Sequence, residues 1–203
     1  VRQDMSELVV QAESIFRSLN REVWVVTSST AEARGGLLAT WVSQASLDPE
    51  KPVLLAGLAP NHHTTRLVQE SGILAAHLLT QDQQELAWNF ARDSGRNRDK
   101  LAACALAESD SGIPILQACH SILVGSVFAK VETGDRVYFW ADIIEAQCHS
   151  NSSPLCEQEF FRWCDDSRKI ILKEDKHSDV ALQREGQNEF RESLPSWLQF
   201  DGS

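Results

Sequence analysis

The spacing of apolar and polar positions changes several times along the chain, and each change marks an element. Leu8, Ala12, Ile15 and Leu19 recur at helical spacing over residues 4–19, with Asp4 placed to cap the helix and Glu7 three residues further on. Short apolar runs follow at Val23–Thr27, Leu37–Val42 and Pro52–Leu58. The last two are separated by Asp48-Pro49-Glu50-Lys51-Pro52, which is turn chemistry. Thr64–Ser71 reads as a short helix ended by Gly72, and Ile73–Leu79 as another apolar strand. Thr80-Gln81-Asp82-Gln83 has the form of a capping box, and Leu86 and Phe90 continue one helical face to about Ser94.

Two long runs come next, Ser121–Val131 and Arg136–Gln147, joined as a hairpin by Glu132-Thr133-Gly134-Asp135. In the second run bulky groups occupy both faces, so a strand covered on both sides is expected. The small polar stretch Ser150–Pro154 suggests a boundary between a domain over residues 1–150 and a partly helical extension over residues 151–203. Beyond it, Pro154–Ser167 is predicted as a helix with Ser153 as cap and Pro154 at its first position. Residues 174–192 are charge-rich with few large apolar groups, which predicts a loosely attached arm. Many short strands with a few helices point to a mainly β barrel with peripheral helices, rather than an alternating βαβ sheet.

Composition narrows the partners. The 203 residues are 42% hydrophobic and 24% charged, ordinary for a globular chain. A net charge of −10 argues against a nucleic-acid backbone as main partner, but not against a single bound phosphate, which needs only local donors. No apolar run approaches the roughly 20 residues of a membrane helix, and Val1–Met5 carries no signal-peptide pattern. Five cysteines without a CxxC pair fit reduced thiols. A cytoplasmic protein is the expectation. Cys148, Cys156 and Cys164 recur every eight residues, which is not zinc-finger spacing, so buried structural thiols are expected there.

The segment Gly36-Leu37-Leu38-Ala39-Thr40-Trp41-Val42-Ser43-Gln44-Ala45-Ser46-Leu47-Asp48-Pro49 resembles the flavin reductase-like, FMN-binding split-barrel family, especially the barrel domains fused to flavodiiron proteins. His62–Val68, Glu70-Ser71-Gly72 and the helix Gln84–Phe90 follow in family order, so that the resemblance covers residues 20 to 147. It implies an FMN-binding split β-barrel with a helical C-terminal extension, a homodimer, and an oxidoreductase passing electrons from NAD(P)H through flavin to an acceptor. It also implies that Leu38, Ala39, Thr40 and Trp41, with Ser43, Gln44, Ala45 and Ser46, wrap the flavin. Two positions depart from the family wording: Arg136 stands where many members have the His of Gly-Asp-His, and His77 where an Asn is usual. The first raises a second reading, an FMN-binding electron-transfer module without NAD(P)H activity of its own.

The residues are compatible with the same chemistry. FMN needs donors for a dianionic phosphate and close backbone approach along a flat ring. Ser43, Gln44 and Ser46 offer the donors, and Ala39 and Ala45 the small neighbours, although a polar loop between strands reads the same way by composition. Thr64 and Thr65 would open a helix whose free amides favour an anion, and His62 or His63 would add a charge-assisted contact. Arg98 and Lys100 are placed to close over a phosphate or to remain solvated loop charge. Trp41 either flanks the ring or fills core, with core filling the simpler reading. Arg136 would hold a substrate phosphate, or pair with Asp142 or Glu132. The adjacent His pair lacks spaced partners, and no metal site is expected.

Overall fold

A computed structural model describes residues 4–92 and 98–200. Nine strands and five α-helices are described: α1 (Met5–Ser18), β1 (Trp24–Ser29), β2 (Arg34–Ala39), β3 (Val42–Gln44), β4 (Val53–Leu58), α2 (His63–Ser71), β5 (Ile73–Leu78), α3 (Gln84–Ala91), β6 (Leu106–Glu108), β7 (Pro114–Leu116), β8 (Ser121–Glu132), β9 (Val137–Cys148), α4 (Glu157–Trp163) and α5 (Asp166–Glu192). Seven strands form one antiparallel sheet in the order β2-β1-β5-β8-β9-β4-β3. Its two end strands, β2 and β3, are consecutive in the chain and joined only through Thr40 and Trp41. The opposite edges of the sheet must therefore come together at that junction, which rolls the sheet into a barrel split along one seam. The expected mainly β split barrel with peripheral helices is the fold found.

Alternation of side chains across the sheet gives two cores. Val26, Leu74, Ala76 and Phe139 turn into the barrel. Val25 and Ala75, one residue away on the same strands, face α3, α4 and the segment Leu101–Cys119. Glycines permit the closest approach of helices to β2. A Cβ on Gly35 would meet Thr64 and Leu67 of α2 at 3.0 and 3.1 Å, and one on Gly36 would lie 2.5 Å from the Phe90 ring of α3. The hairpin turn needs Gly134 at φ +83°, and α2 ends on Gly72 at φ +71°, as its position predicts.

Several expectations are corrected. The predicted strand Leu37–Val42 is two strands, because the chain turns at Thr40–Trp41 to pass from one sheet edge to the other. Asp4 does cap α1, accepting from the Ser6 N–H at 3.0 Å, but Glu7 accepts from Gln11 rather than reaching back. Only half of the second capping box forms: Gln83 Oε1 accepts from the Thr80 N–H, while the Thr80 hydroxyl donates to Asp82. The strand β9 is covered on both faces only up to Ala141 and opens to solvent beyond it.

Neither Ser153 nor Pro154 starts α4. Pro154 and Cys156 bridge to Thr80 and Glu22, and between them Leu155 is wholly buried, so Cys156 becomes the cap. Tertiary pairing here outweighs the local helix-start signal. Residues 174–192 are not a loose arm but part of the 27-residue α5, whose Asp165 cap accepts from the Arg168 N–H. Of the three regularly spaced thiols only Cys164 is buried; Cys156 is half-buried and Cys148 exposed. The expected end of the α3 helical face near Ser94 lies outside the described residues.

Candidate functional site

The seam concentrates the polar and aromatic residues. As an end strand, β3 pairs only with β4. Trp41 C=O accepts from the Gly57 N–H, and the Ala45 N–H donates to Val53 C=O, so the alternate amides of Val42 and Gln44 point away from the ladder. Ser43 and Gln44 are exposed, and their side chains bond locally, Ser43 Oγ to Gln44 C=O and Gln44 Nε2 to Ser46 C=O. Ser46 Oγ accepts from the Asp48 N–H and shapes the turn that follows. An open cleft of about 390 Å³ runs along this junction, lined by Arg21, Thr40, Trp41, Ser43, Gly57 and Tyr138.

Trp41 is not core. It is 39% exposed, stacks on Tyr138 with ring centroids 6.5 Å apart and planes at 14°, and lies beneath the Arg136 guanidinium at 4.5 Å. Gly57 makes room for the pair, since a Cβ there would meet Tyr138 at 3.0 Å and Trp41 at 3.4 Å. Arg136 forms no ion pair with Asp142 or Glu132. Its Nη1 donates to Asp135 C=O and, at 3.0 Å, to Gln183 Oε1 on α5, while Glu132 takes Lys130 instead. A delocalised guanidinium is at home on an indole face in a way an ammonium is not.

The second predicted group divides. His62 holds the N-cap position of α2 without a side-chain capping bond and faces Asp179, Nε2 to Oδ2 at 3.6 Å; burial pushes its pKa below the usual histidine value, while Asp179 pulls the other way. His63, Thr64 and Thr65 are buried rather than loop residues. Thr65 Oγ1 donates to Ala59 C=O, and Thr64 and His63 pack behind Gly35. His63, Thr64 and Thr65 therefore take part in helix-to-strand packing. Lys100 is buried with Nζ donating to Phe90 C=O at 2.9 Å, and Arg98 donates to Asn89 C=O at 3.1 Å. Both cations thus satisfy carbonyls at the C-terminal end of α3, a favourable place for positive charge. Leu38 and Ala39 are held in β2 with Ala39 in the barrel core, and Ala45 sits at the end of β3.

Of the predicted residues, Thr40, Trp41 and Ser43 line one cleft, with Arg136 over the Trp41 ring; Gln44 and Ser46 lie on β3 and just after it, His63–Thr65 and Lys100 are buried, and the exposed Arg98 bonds the Asn89 carbonyl. Asn61, Tyr138, Asp179 and Gln183 were missed by sequence reasoning. A visible signal existed for the helix that carries two of them: Gly186, a lone glycine inside a charged helical run, has no purpose unless another backbone approaches it. His77 is a core residue. Its Nδ1 lies 3.0 Å from Val25 C=O and its Nε2 accepts from the Leu116 N–H at 3.2 Å; burial lowers its pKa to about 4, which fixes it neutral. No cluster of three or more His, Cys, Asp or Glu among the described residues is arranged to hold a metal ion. No described helix is long and apolar enough to cross a membrane.

Comparison with known proteins places these features. The chain is 30% identical over 138 residues to a protein of Nostoc sp. (strain PCC 7120) named as a diflavin flavoprotein, A 6, covering 66% of this chain and 24% of that one. It is 28% identical over 134 residues to the FMN reductase (NADH) SmoA of Agrobacterium fabrum, covering 66% of this chain and 73% of the relative. The chain spans about a quarter of the length of the diflavin flavoproteins it matches. Among solved structures, the flavin reductase domain protein of Arthrobacter sp. FB24 superimposes with a TM-score of 0.64 at 21% identity, covering 71% of this chain and 87% of that one, and so shares the fold. The Streptomyces globisporus NADH:FAD oxidoreductase SgcE6 does so with a TM-score of 0.63 at 20% identity, covering 76% and 85%. Residues 16–162 match the family described as flavin reductase like domain, a stretch running from α1 to the end of α4, and the chain belongs to that family.

Proposed function

We propose that this chain binds FMN along the barrel seam and acts as a flavin reductase-like oxidoreductase, passing electrons from NAD(P)H through the bound flavin to an acceptor. The carrying observation is the cleft at the β2–β3 junction, where Trp41, Tyr138 and the Arg136 guanidinium meet beside the exposed Ser43 and Gln44. These residues suit the group. The exposed part of Trp41 offers an apolar wall beside the cleft, the outward amides of Val42 and Gln44 match a polar ring edge, and Ser43 and Ser46 offer hydroxyls to a phosphate. Bound FMN would supply hydride acceptance and electron transfer. The chain's own residues bind and orient the ring, and Arg136 sets a fixed positive charge over the Trp41 ring. The names of two relatives, an FMN reductase (NADH) and an NADH:FAD oxidoreductase, support NADH as the donor.

The second reading, an FMN-binding electron-transfer module without NAD(P)H activity, is favoured by Arg136. Held between Trp41 and Gln183, it is a permanently charged group where a neutral ring donor would suit a nicotinamide carboxamide better. One experiment separates the two. The purified protein should be yellow with released FMN, and anaerobic NADH or NADPH should bleach it under the first reading and leave it coloured under the second. A colourless protein that takes up no FMN would sink both. In the apo form, Ser43→Ala combined with Ser46→Ala should weaken FMN binding about tenfold to a hundredfold, the loss expected for charge-assisted phosphate contacts. An unchanged titration would put the phosphate elsewhere.

A homodimer and a cytoplasmic setting belong to the same proposal. Support for the dimer comes from α1, which buries no residue and leaves Val9, Ile15 and Phe16 60%, 63% and 60% exposed. Support for a reducing compartment comes from five free cysteines. Light scattering should give twice the chain mass, with a shift toward monomer when Ile15 and Phe16 are both changed to Ser. A parent that runs as a monomer would refute the dimer.

A further inference from the structure

The C-terminal half of α5 is held in an unusual way for a helix of 27 residues. Only Gln183 along its length is buried, while Val180 and Leu182 are 43% and 70% exposed. What docks it is polar. Asn61 Nδ2 donates to Asp179 Oδ1 at 2.8 Å, Gln183 Nε2 donates to Asn61 Oδ1 at 2.9 Å, and Arg136 Nη1 donates to Gln183 Oε1 at 3.0 Å. His62 faces the second Asp179 oxygen at 3.6 Å. Beside this network the helix backbone at Gly186 lies directly on the hairpin turn at Gly134, so closely that a Cβ on Gly134 would fall 2.1 Å from Gly186 backbone atoms. A glycine in mid-helix is unfavourable relative to alanine, and here the close approach accounts for it.

Asn61 and Arg136 thus converge as donors on a carboxylate and an amide oxygen supplied by the chain itself, with the His62 ring facing the second carboxylate oxygen. Donors of this kind on a carboxylate are the set that also receives a phosphate. An element fixed by a few half-exposed hydrogen bonds, with little apolar burial, is drawn from the low-stability end of a structure and opens at small cost. We propose that the C-terminal half of α5 is a displaceable cover whose Asp179 and Gln183 occupy the His62–Asn61–Arg136 cluster, and that a nucleotide phosphate competes with Asp179 for those donors. The identity of the nucleotide rests on the flavin reading; the displacement of the helix does not.

The phosphate is that of a pyridine nucleotide, or that of an FMN whose phosphate lies here and not on Ser43 and Ser46, and the test separates them. Asp179→Asn keeps the shape of the cover and removes its charge. It should tighten FMN binding by the apo protein about tenfold while leaving riboflavin unchanged if the flavin phosphate is the competitor; if a pyridine nucleotide is, NAD⁺ affinity rises and FMN affinity stays level. Gln183→Glu, which sets a carboxylate on Arg136, should act in the opposite direction. Independently of any flavin, inorganic pyrophosphate added to the parent should speed tryptic cleavage at Arg184 and Arg191, because displacement exposes the helix. Melting curves establish that both variants fold. Cleavage unaffected by pyrophosphate, with ligand affinities unchanged in both variants, would overturn the proposal. Pyrophosphate-accelerated cleavage in a protein that binds no flavin would leave the cover standing and remove the flavin reading.

Discussion

A Phe90→Ala variant should lose about 3–5 kcal/mol of stability, the range for removing a fully buried phenyl ring. The ring is 1% exposed and fills the core between α3 and the sheet. Its position is set by Gly36, where an added Cβ would lie 2.5 Å from the ring edge. Gly36→Ala alone forces that ring aside in a packed interior and should cost about 1–3 kcal/mol, the usual penalty of overpacking. The two substitutions must not add. Once the ring is gone the new methyl has space, so the double variant should be little worse than Phe90→Ala. Urea unfolding of all four proteins measures the coupling, and strictly additive losses would show that Gly36 does not face Phe90. The result bears on the cleft as well, because β2 runs from Gly36 straight into Thr40 and Trp41.

Acid should weaken the fold through His77. Its pKa is about 4 in the folded chain, with burial the leading cause, against 6.5 when unfolded. Between these values the unfolded chain binds the extra proton and the folded chain does not, so stability rises with pH across the window. The contribution is complete above pH 6.5 and is lost progressively as pH falls to about 4, an effect on the order of 3 kcal/mol. His77→Gln keeps a group able to accept from the Leu116 N–H but cannot titrate. Urea midpoints measured at pH 7 and at pH 4.5 should therefore fall further in the parent than in the variant. Equal pH dependence in the two proteins would mean that His77 titrates normally or is not enclosed.

The helical and strand periods along the chain placed α1, β1, β4, α2, β5, α3, β8 and β9, since they reflect only which face of each segment avoids water, but they left β6 and β7 unread and made most of α5 an arm. The seam was partly legible, as Thr40, Trp41 and Ser43 do line one cleft. The buried roles of His63, Thr65 and Lys100 were not, because a polar residue looks the same in sequence whether it meets a ligand or a carbonyl within its own chain. Trp41 is the converse case: its size suggests core, yet the space beside Gly57 and the charge of Arg136 hold it at the surface.

Residues 151–192 mark the division between the two kinds of information most clearly. Pro154 signals a helix start locally, but pairing of Pro154 and Cys156 with Thr80 and Glu22 buries Leu155 and delays the helix to Glu157. A charge-rich run with few large apolar groups reads as an arm, because sequence patterns register attachment through apolar burial. It becomes an ordered helix over the hairpin through hydrogen bonds and one glycine-on-glycine contact, whose partners lie about 50 to 120 residues away in the chain. Alternating short strands, with glycines where helices approach them, dictate the barrel. Which polar groups face the cleft and which face one another depends on distances between segments that no local pattern encodes.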